Sequence, residues 1–170
     1  VAEPNTKDPG ENNGLWESTE NVILDLDGDT FYDPPLKKSE GSYSNGNREG
    51  LWTTWYLNNM RKEESNYSNG KLDGTIIRWF ENGNKSEEGT YSSGKQNGRW
   101  IWYFETGIKK EQTQFSDGQQ NGLWLQWFND GSKKSEKKFT DGERDSVWTS
   151  WYDNGNKKFQ ATYSEGKLNG

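Results

Sequence analysis

The chain has 170 residues, of which 27% are hydrophobic, 15% aromatic and 28% charged, with a formal net charge of −6 and neither Cys nor His. Lacking both, it has no disulfide, no thiolate or imidazole metal site and no Ser-His-Asp or Cys-His machinery; the acidic balance excludes duplex nucleic acid and anionic membrane surfaces as partners through bulk charge. No apolar run approaches the ~18–20 residues of a membrane span, so direct membrane insertion is not expected.

Residues 1–9 are a polar lead-in. The chain begins at Val1 instead of Met, which raises the expectation of a removed leader and leans the localisation toward the cell envelope. Residues 10–42 read as an atypical first repeat. Its opening, Gly10 to Trp16, matches the Gly-x-x-x-Gly-x-Trp start of later units, and Phe31-Tyr32 matches their aromatic pair. Trp16 and Phe31 are 15 residues apart where Trp124 and Trp127 are 3 apart, a 12-residue insertion. An irregular terminal unit suits the capping of an open sheet edge.

From residue 43 to 170 the chain is periodic. Tyr43, Tyr67, Tyr91, Phe115, Phe139 and Tyr163 each open a Ser/Thr-x-Gly turn at a constant step of 24, and YSNGKLDG at 67–74 returns as YSEGKLNG at 163–170. A fixed period of this size marks a repeat array. Each unit reads as an aromatic strand, a turn such as Asn129-Asp130-Gly131, a polar strand and a second turn, so one period is one β-hairpin. The expected fold is all-β: an elongated single-layer antiparallel meander of 24-residue hairpin repeats, ~50 Å from Tyr43 to Tyr163. The core is expected to be a row of aromatic rings, since Ten Trp, eight Tyr and seven Phe carry most of the apolar surface.

Counted from the second Gly of each unit, the second position holds Trp52, Ile76, Trp100, Trp124 and Trp148. The fifth holds Trp55, Trp79, Tyr103, Trp127 and Trp151, and the sixth Tyr56, Phe80, Phe104, Phe128 and Tyr152. Strand alternation places the second and fifth positions on opposite faces. The polar residues at the fourth position (Thr54, Arg78, Gln126, Ser150) lead to the expectation that Trp55, Trp127 and Trp151 lock the repeats while Trp100, Trp124 and Trp148 lie partly open. The candidate binding residues are accordingly Trp52, Trp100, Trp124, Trp148, Tyr56, Phe128 and Tyr152, since exposed aromatics are favoured anchors. Lys37, Arg61, Lys85, Lys109, Lys133 and Lys157 form a cationic column, with Glu63, Glu87 and Glu111 two residues on, read as a charge ladder.

The recurring pattern N-G-x-W-x-x-W-F-x-N-G-x-K-x-E-x-x-Y-x-x-G-K, seen at residues 121–143 and elsewhere, resembles the MORN-repeat variant of bacterial proteins. The resemblance covers residues 10–170, some six units, with Ser146 for the second Gly and Ile76 for Trp as local departures. It implies stacked hairpins in a curved single-layer sheet. In function it implies a non-enzymatic scaffold with a protein partner, antitoxin-like or part of a cell-envelope complex. Phospholipid contact, credited to eukaryotic relatives, conflicts with the acidic balance. The alternative is a cell-surface carbohydrate-binding module, since aromatic Gly-rich cell-wall-binding repeats also string Trp and Tyr on hairpins. No cofactor is expected apart from one candidate ion: Asp25, Asp27, Asp29 and Asp33 alternate across a turn and could converge on Ca²⁺, against the plainer reading of an Asp27-Gly28 hairpin. Carboxylates that recur with the repeat do not form the single pair that glycoside chemistry requires.

Overall fold

The computed structural model describes residues 38–169. Thirteen strands lie in one antiparallel sheet, and no helix occurs among the described residues. In chain order they are β1 (Ser39–Ser44), β2 (Asn47–Trp55), β3 (Arg61–Ser68), β4 (Lys71–Trp79), β5 (Lys85–Ser92), β6 (Lys95–Tyr103) and β7 (Lys109–Ser116). Then follow β8 (Gln119–Gln120), β9 (Gly122–Trp127), β10 (Lys133–Thr140), β11 (Glu143–Trp151), β12 (Lys157–Ser164) and β13 (Lys167–Leu168). Each strand pairs with its neighbours in sequence, and β8 and β9 are two pieces of one strand broken at Asn121. The expected meander is the observed one.

Two turns alternate along the meander. At Asn45-Gly46, Asn69-Gly70, Ser93-Gly94, Asp117-Gly118, Asp141-Gly142 and Glu165-Gly166 both residues have positive φ. That is the type I′ geometry whose twist matches a hairpin. The other turn follows the sixth-position aromatic. Phe128 N–H donates to Ser132 O (2.9 Å) and Gly131 N–H donates back to Phe128 O (3.0 Å). The same pair of bonds holds Tyr56, Phe80, Phe104 and Tyr152, so each ring is fixed at the mouth of its hairpin.

The type I′ hairpins β1–β2, β3–β4, β5–β6 and β10–β11 also carry a bulge. Between the pairs Glu40↔Thr53 and Ser42↔Glu49, Gly41 of β1 faces three residues of β2, Gly50 to Trp52. The extra residues let the Trp52 indole fold back over Gly41, where an added Cβ would come within 2.2 Å of the ring. Trp100 lies over Gly89 in the same way, at 2.3 Å. The indole N–H groups of Trp52, Trp100 and Trp148 then donate to the carbonyls of Ser42, Thr90 and Lys138 at 3.0–3.1 Å. Alternate units differ. The residue two before the second-position side chain has φ of 68° at Gly50, 67° at Gly98 and 59° at Ser146, but 108° at Gly74 and 106° at Gly122. The structural period is therefore two hairpins, not one.

The register corrects the expected burial. Pairing of Trp52 with Ser65 and of Gly50 with Tyr67 puts the second-position side chains on the face that also carries the turn-opening aromatics. Trp52 sits edge-on to Tyr43 (4.9 Å) and Tyr67 (6.4 Å), and Trp100 to Tyr91 (5.1 Å) and Phe115 (6.2 Å). Trp52, Ile76, Trp100 and Trp148 are buried, while Trp55, Trp127 and Trp151 on the opposite face are half-buried. Trp100 and Trp148, expected to lie partly open, thus belong to the core row, while Trp124 is half-buried. The ladder of charges is corrected too. The bulge between Arg78↔Glu87 and Trp79↔Lys85 turns Lys85 away from Glu87. Lys85, Lys133 and Arg61 instead reach the carboxylate three residues on, at Glu88, Glu136 and Glu64 (2.7–2.8 Å).

Candidate functional site

On the face of the buried Trp row, the polar fourth-position residues and their cross-strand neighbours form a floor. The row of sixth-position rings stands along its far side. In the first units this floor is charged and self-satisfied. Arg78 bridges Glu63 (2.7 Å) and Glu87 (2.9 Å), and those bonds raise its pKa although burial opposes them. Gln126 donates to Glu111 (3.0 Å) and accepts from Ser135 (2.7 Å). The floor carboxylates Glu63, Glu87 and Glu111 are all engaged. Beside Phe80 and Trp102 the floor dips into a shallow depression shared by Glu87, Glu111 and Lys110.

Toward the C-terminal end the floor loses its charge. The column Glu63, Glu87, Glu111 continues as Ser135 and Phe159. There the face opens into a groove of about 540 Å³ walled by Phe128, Trp148, Tyr152, Phe159 and Tyr163. Tyr152 and Phe159 are each 49% exposed. Lys134, Lys137 and Lys158 line the same groove, with Asp153 as its carboxylate. Lys134 Nζ lies 5.6 Å from the Phe128 ring centre and Lys158 Nζ 5.4 Å from that of Tyr152. Lys137 Nζ sits between two indoles, 4.3 Å from Trp124 and 5.3 Å from Trp148. Burial lowers the Lys137 pKa, Arg144 and Lys134 lower it further, and Glu111 opposes them.

The groove gathers three of the sequence-derived binding residues, Phe128, Trp148 and Tyr152. It does not include Trp52 and Trp100, which are closed into the core. Tyr56 is half-buried and commits its hydroxyl to Trp79 O (2.7 Å). Trp124 is half-buried under Lys137. Lys134, Lys137, Lys158, Phe159 and Tyr163 were missed. A signal for Lys137 exists, since its column otherwise reads Gly41, Ser65, Gly89, Thr113 and Ala161. Asp25, Asp27, Asp29 and Asp33 lie outside the described residues, among which no cluster of three or more His, Cys, Asp or Glu could hold a metal. No helix among the described residues is long and apolar enough to cross a membrane.

A family model described as the MORN repeat variant matches residues 48–69, 72–93, 96–117 and 144–165, just over half of the chain. The chain belongs to the MORN repeat variant family. The MORN units matched are regular hairpins, and the skipped stretch between 117 and 144 contains the break at Asn121 and the Lys137 insertion into the Trp row. The groove thus straddles the least regular of these MORN units and its regular successor. No curated protein matches the chain.

Proposed function

We propose that this MORN-repeat array is a non-catalytic scaffold that docks a partner protein in the groove between Phe128 and Phe159. The observation that carries the reading is a pair of half-exposed rings, Tyr152 and Phe159, set over a neutral floor. Exposed aromatics with a preformed pocket supply most of the energy of a protein contact. The engaged floor carboxylates support a binding role over chemistry, because Glu63 and Glu87 are held by Arg78. The test is capture from an extract of the source cell on immobilised wild type, a Tyr152→Ser/Phe159→Ser variant and a Val147→Ser control on the opposite face. A protein held by wild type and control, and released by the groove variant, supports docking. Equal retention on all three, or a groove-dependent signal only on a glycan array run alongside, contradicts it.

A further inference from the structure

The lysines of the groove lack ion-pair partners among the described residues, as Lys62 over Tyr56 and Lys110 over Phe104 do elsewhere, but in the groove three of them share one site. Lys85, Lys95, Lys133 and Lys138 each have a carboxylate at 2.7–3.1 Å. Lys134, Lys137 and Lys158 have none, and among the described residues they make no hydrogen bond; each lies over an aromatic ring instead. The reason is in the columns. Where Lys110 shares its depression with Glu87 and Glu111, the corresponding floor positions are Glu111, bonded by Gln126, and Ser135 beside Lys134, and Ser135 and Phe159 beside Lys158. Lys137 adds a cation at a position that is uncharged in every other described unit. Three ammonium groups therefore line one groove whose own lining holds a single carboxylate, Asp153, while Glu111 acts on Lys137 from beside it. Lys137 is partly buried, where an opposite charge is attracted more strongly than in bulk water.

The acidity of the whole chain does not oppose an anionic partner here. Residues 1–37 hold nine of the 27 carboxylates and only two of the 21 Lys and Arg side chains, so the array itself is close to neutral. On the basis of the docking reading above, we infer that the groove's occupant is an extended acidic segment of a partner protein. Its carboxylates sit on Lys134, Lys137 and Lys158, and its apolar side chains rest on Phe128, Tyr152 and Phe159. An acidic peptide fits better than a neutral one because a neutral segment would leave all three cations without partners.

Three labelled decapeptides test this on the full chain: one alternating Glu with Phe and Leu, one with Gln in place of Glu, and one with Lys. The Glu peptide is expected to bind about tenfold or more tightly than the Gln peptide, and to weaken as salt is raised from low to high ionic strength. Lys134→Gln/Lys137→Gln/Lys158→Gln should remove that preference, whereas Lys62→Gln/Lys110→Gln should keep it. Equal melting temperatures of the two multiple variants rule out a folding defect as the cause. Equal binding of the Glu and Gln peptides overturns the acidic preference and leaves the docking reading standing. Binding of neither peptide, or an unchanged preference in the triple variant, also overturns the proposal; the extract experiment then decides docking by itself. Preferential binding of oligogalacturonate over the Glu peptide overturns it as well, by assigning the cations to an acidic glycan.

Discussion

Trp100 and Trp124 hold the same position in successive repeats, yet one is fully buried and the other half-exposed. The cause lies eleven residues back. Gly89 leaves the space into which the Trp100 ring folds, while Thr113 fills the equivalent space in the next unit. Displaced by a branched side chain, Trp124 has no acceptor for its buried Nε1, and Thr113 Oγ1 is buried without a partner beside it. Ser65 stands in that column opposite Ile76, which explains why a smaller residue replaces Trp there. Lys137 is tolerated opposite Trp148 because its unbranched chain runs outward over the two indoles. Trp100→Phe should accordingly cost about 1–3 kcal/mol, combining a lost hydrogen bond with a small void. Trp124→Phe should cost less than about 1 kcal/mol, because it removes an unsatisfied donor. Chemical denaturation of the two variants checks this, and equal costs would refute it. Gly89→Ala should cost about 3 kcal/mol, near the top of the overpacking range. Gly155→Ala is no control, since φ is 81° there; Ala161→Gly, in the same column, should change far less.

At the scale of strands, the face opposite the groove is tied by repeated charged contacts across the half-buried fifth-position rings. The best formed joins β5 to β6: Tyr103 Oη donates to Glu88 Oε1 (2.6 Å), and Lys85 Nζ donates to Glu88 Oε2 (2.7 Å). Burial and the bond to Glu88 push the Tyr103 phenol up to about 12 from an ordinary 10.0. Burial alone would raise Glu88, but the bonds from Lys85 and Tyr103 outweigh it and hold the carboxyl below its usual range. A raised phenol favours the protonated native state, so its contribution is complete below about pH 10 and is lost as pH climbs toward about 12. The Glu88 contribution has the opposite sense: present above its ordinary 4.5 and lost as pH falls below it. Tyr103→Phe should therefore remove a late-titrating phenol from the tyrosinate absorbance curve and flatten the loss of stability between about pH 10 and 12. Superimposable curves for variant and wild type would contradict the link. These strands and turns were legible in the sequence because period, Gly placement and aromatic columns all agree. Burial was not. The polar fourth position suggested a wet face, but Arg78 is tied to Glu63 and Glu87, and the space into which the Trp52 and Trp100 indoles fold is signalled only by Gly41 and Gly89. Phe128 and Tyr152 were recognisable as candidate anchors, whereas Lys137 looked like one more surface charge until its column was aligned.

For the molecule as a whole, the arrangement of pairings makes stability a sum over neighbours: each strand pairs with the strands beside it, and the turns reach no farther than the next repeat, as Tyr56 does to Trp79 O. Removing residues 91–114 joins Thr90 to Phe115 and takes out one complete hairpin. The shortened chain then places Trp124 eleven residues after Gly89 and ten after Thr90, the spacing that Trp100 has now. Its indole gains the open space above Gly89 and the Thr90 carbonyl as acceptor, both of which serve Trp100 in the intact protein. The deletion should therefore fold, with a single unfolding transition and a denaturant m-value lower by about one-sixth, in proportion to the surface of one unit. Removing only residues 91–102 is the informative contrast. Twelve residues are one strand and one turn, so the polar strand β5 would run through the Phe104–Gly107 turn into the polar strand β7, with no second-position Trp to cover Gly89. That variant should fail to fold past β5. Circular dichroism and urea titration of both deletions decide the matter: an unfolded 24-residue deletion, or a 12-residue deletion as stable as the longer one, would exclude an array held together by adjacent hairpins.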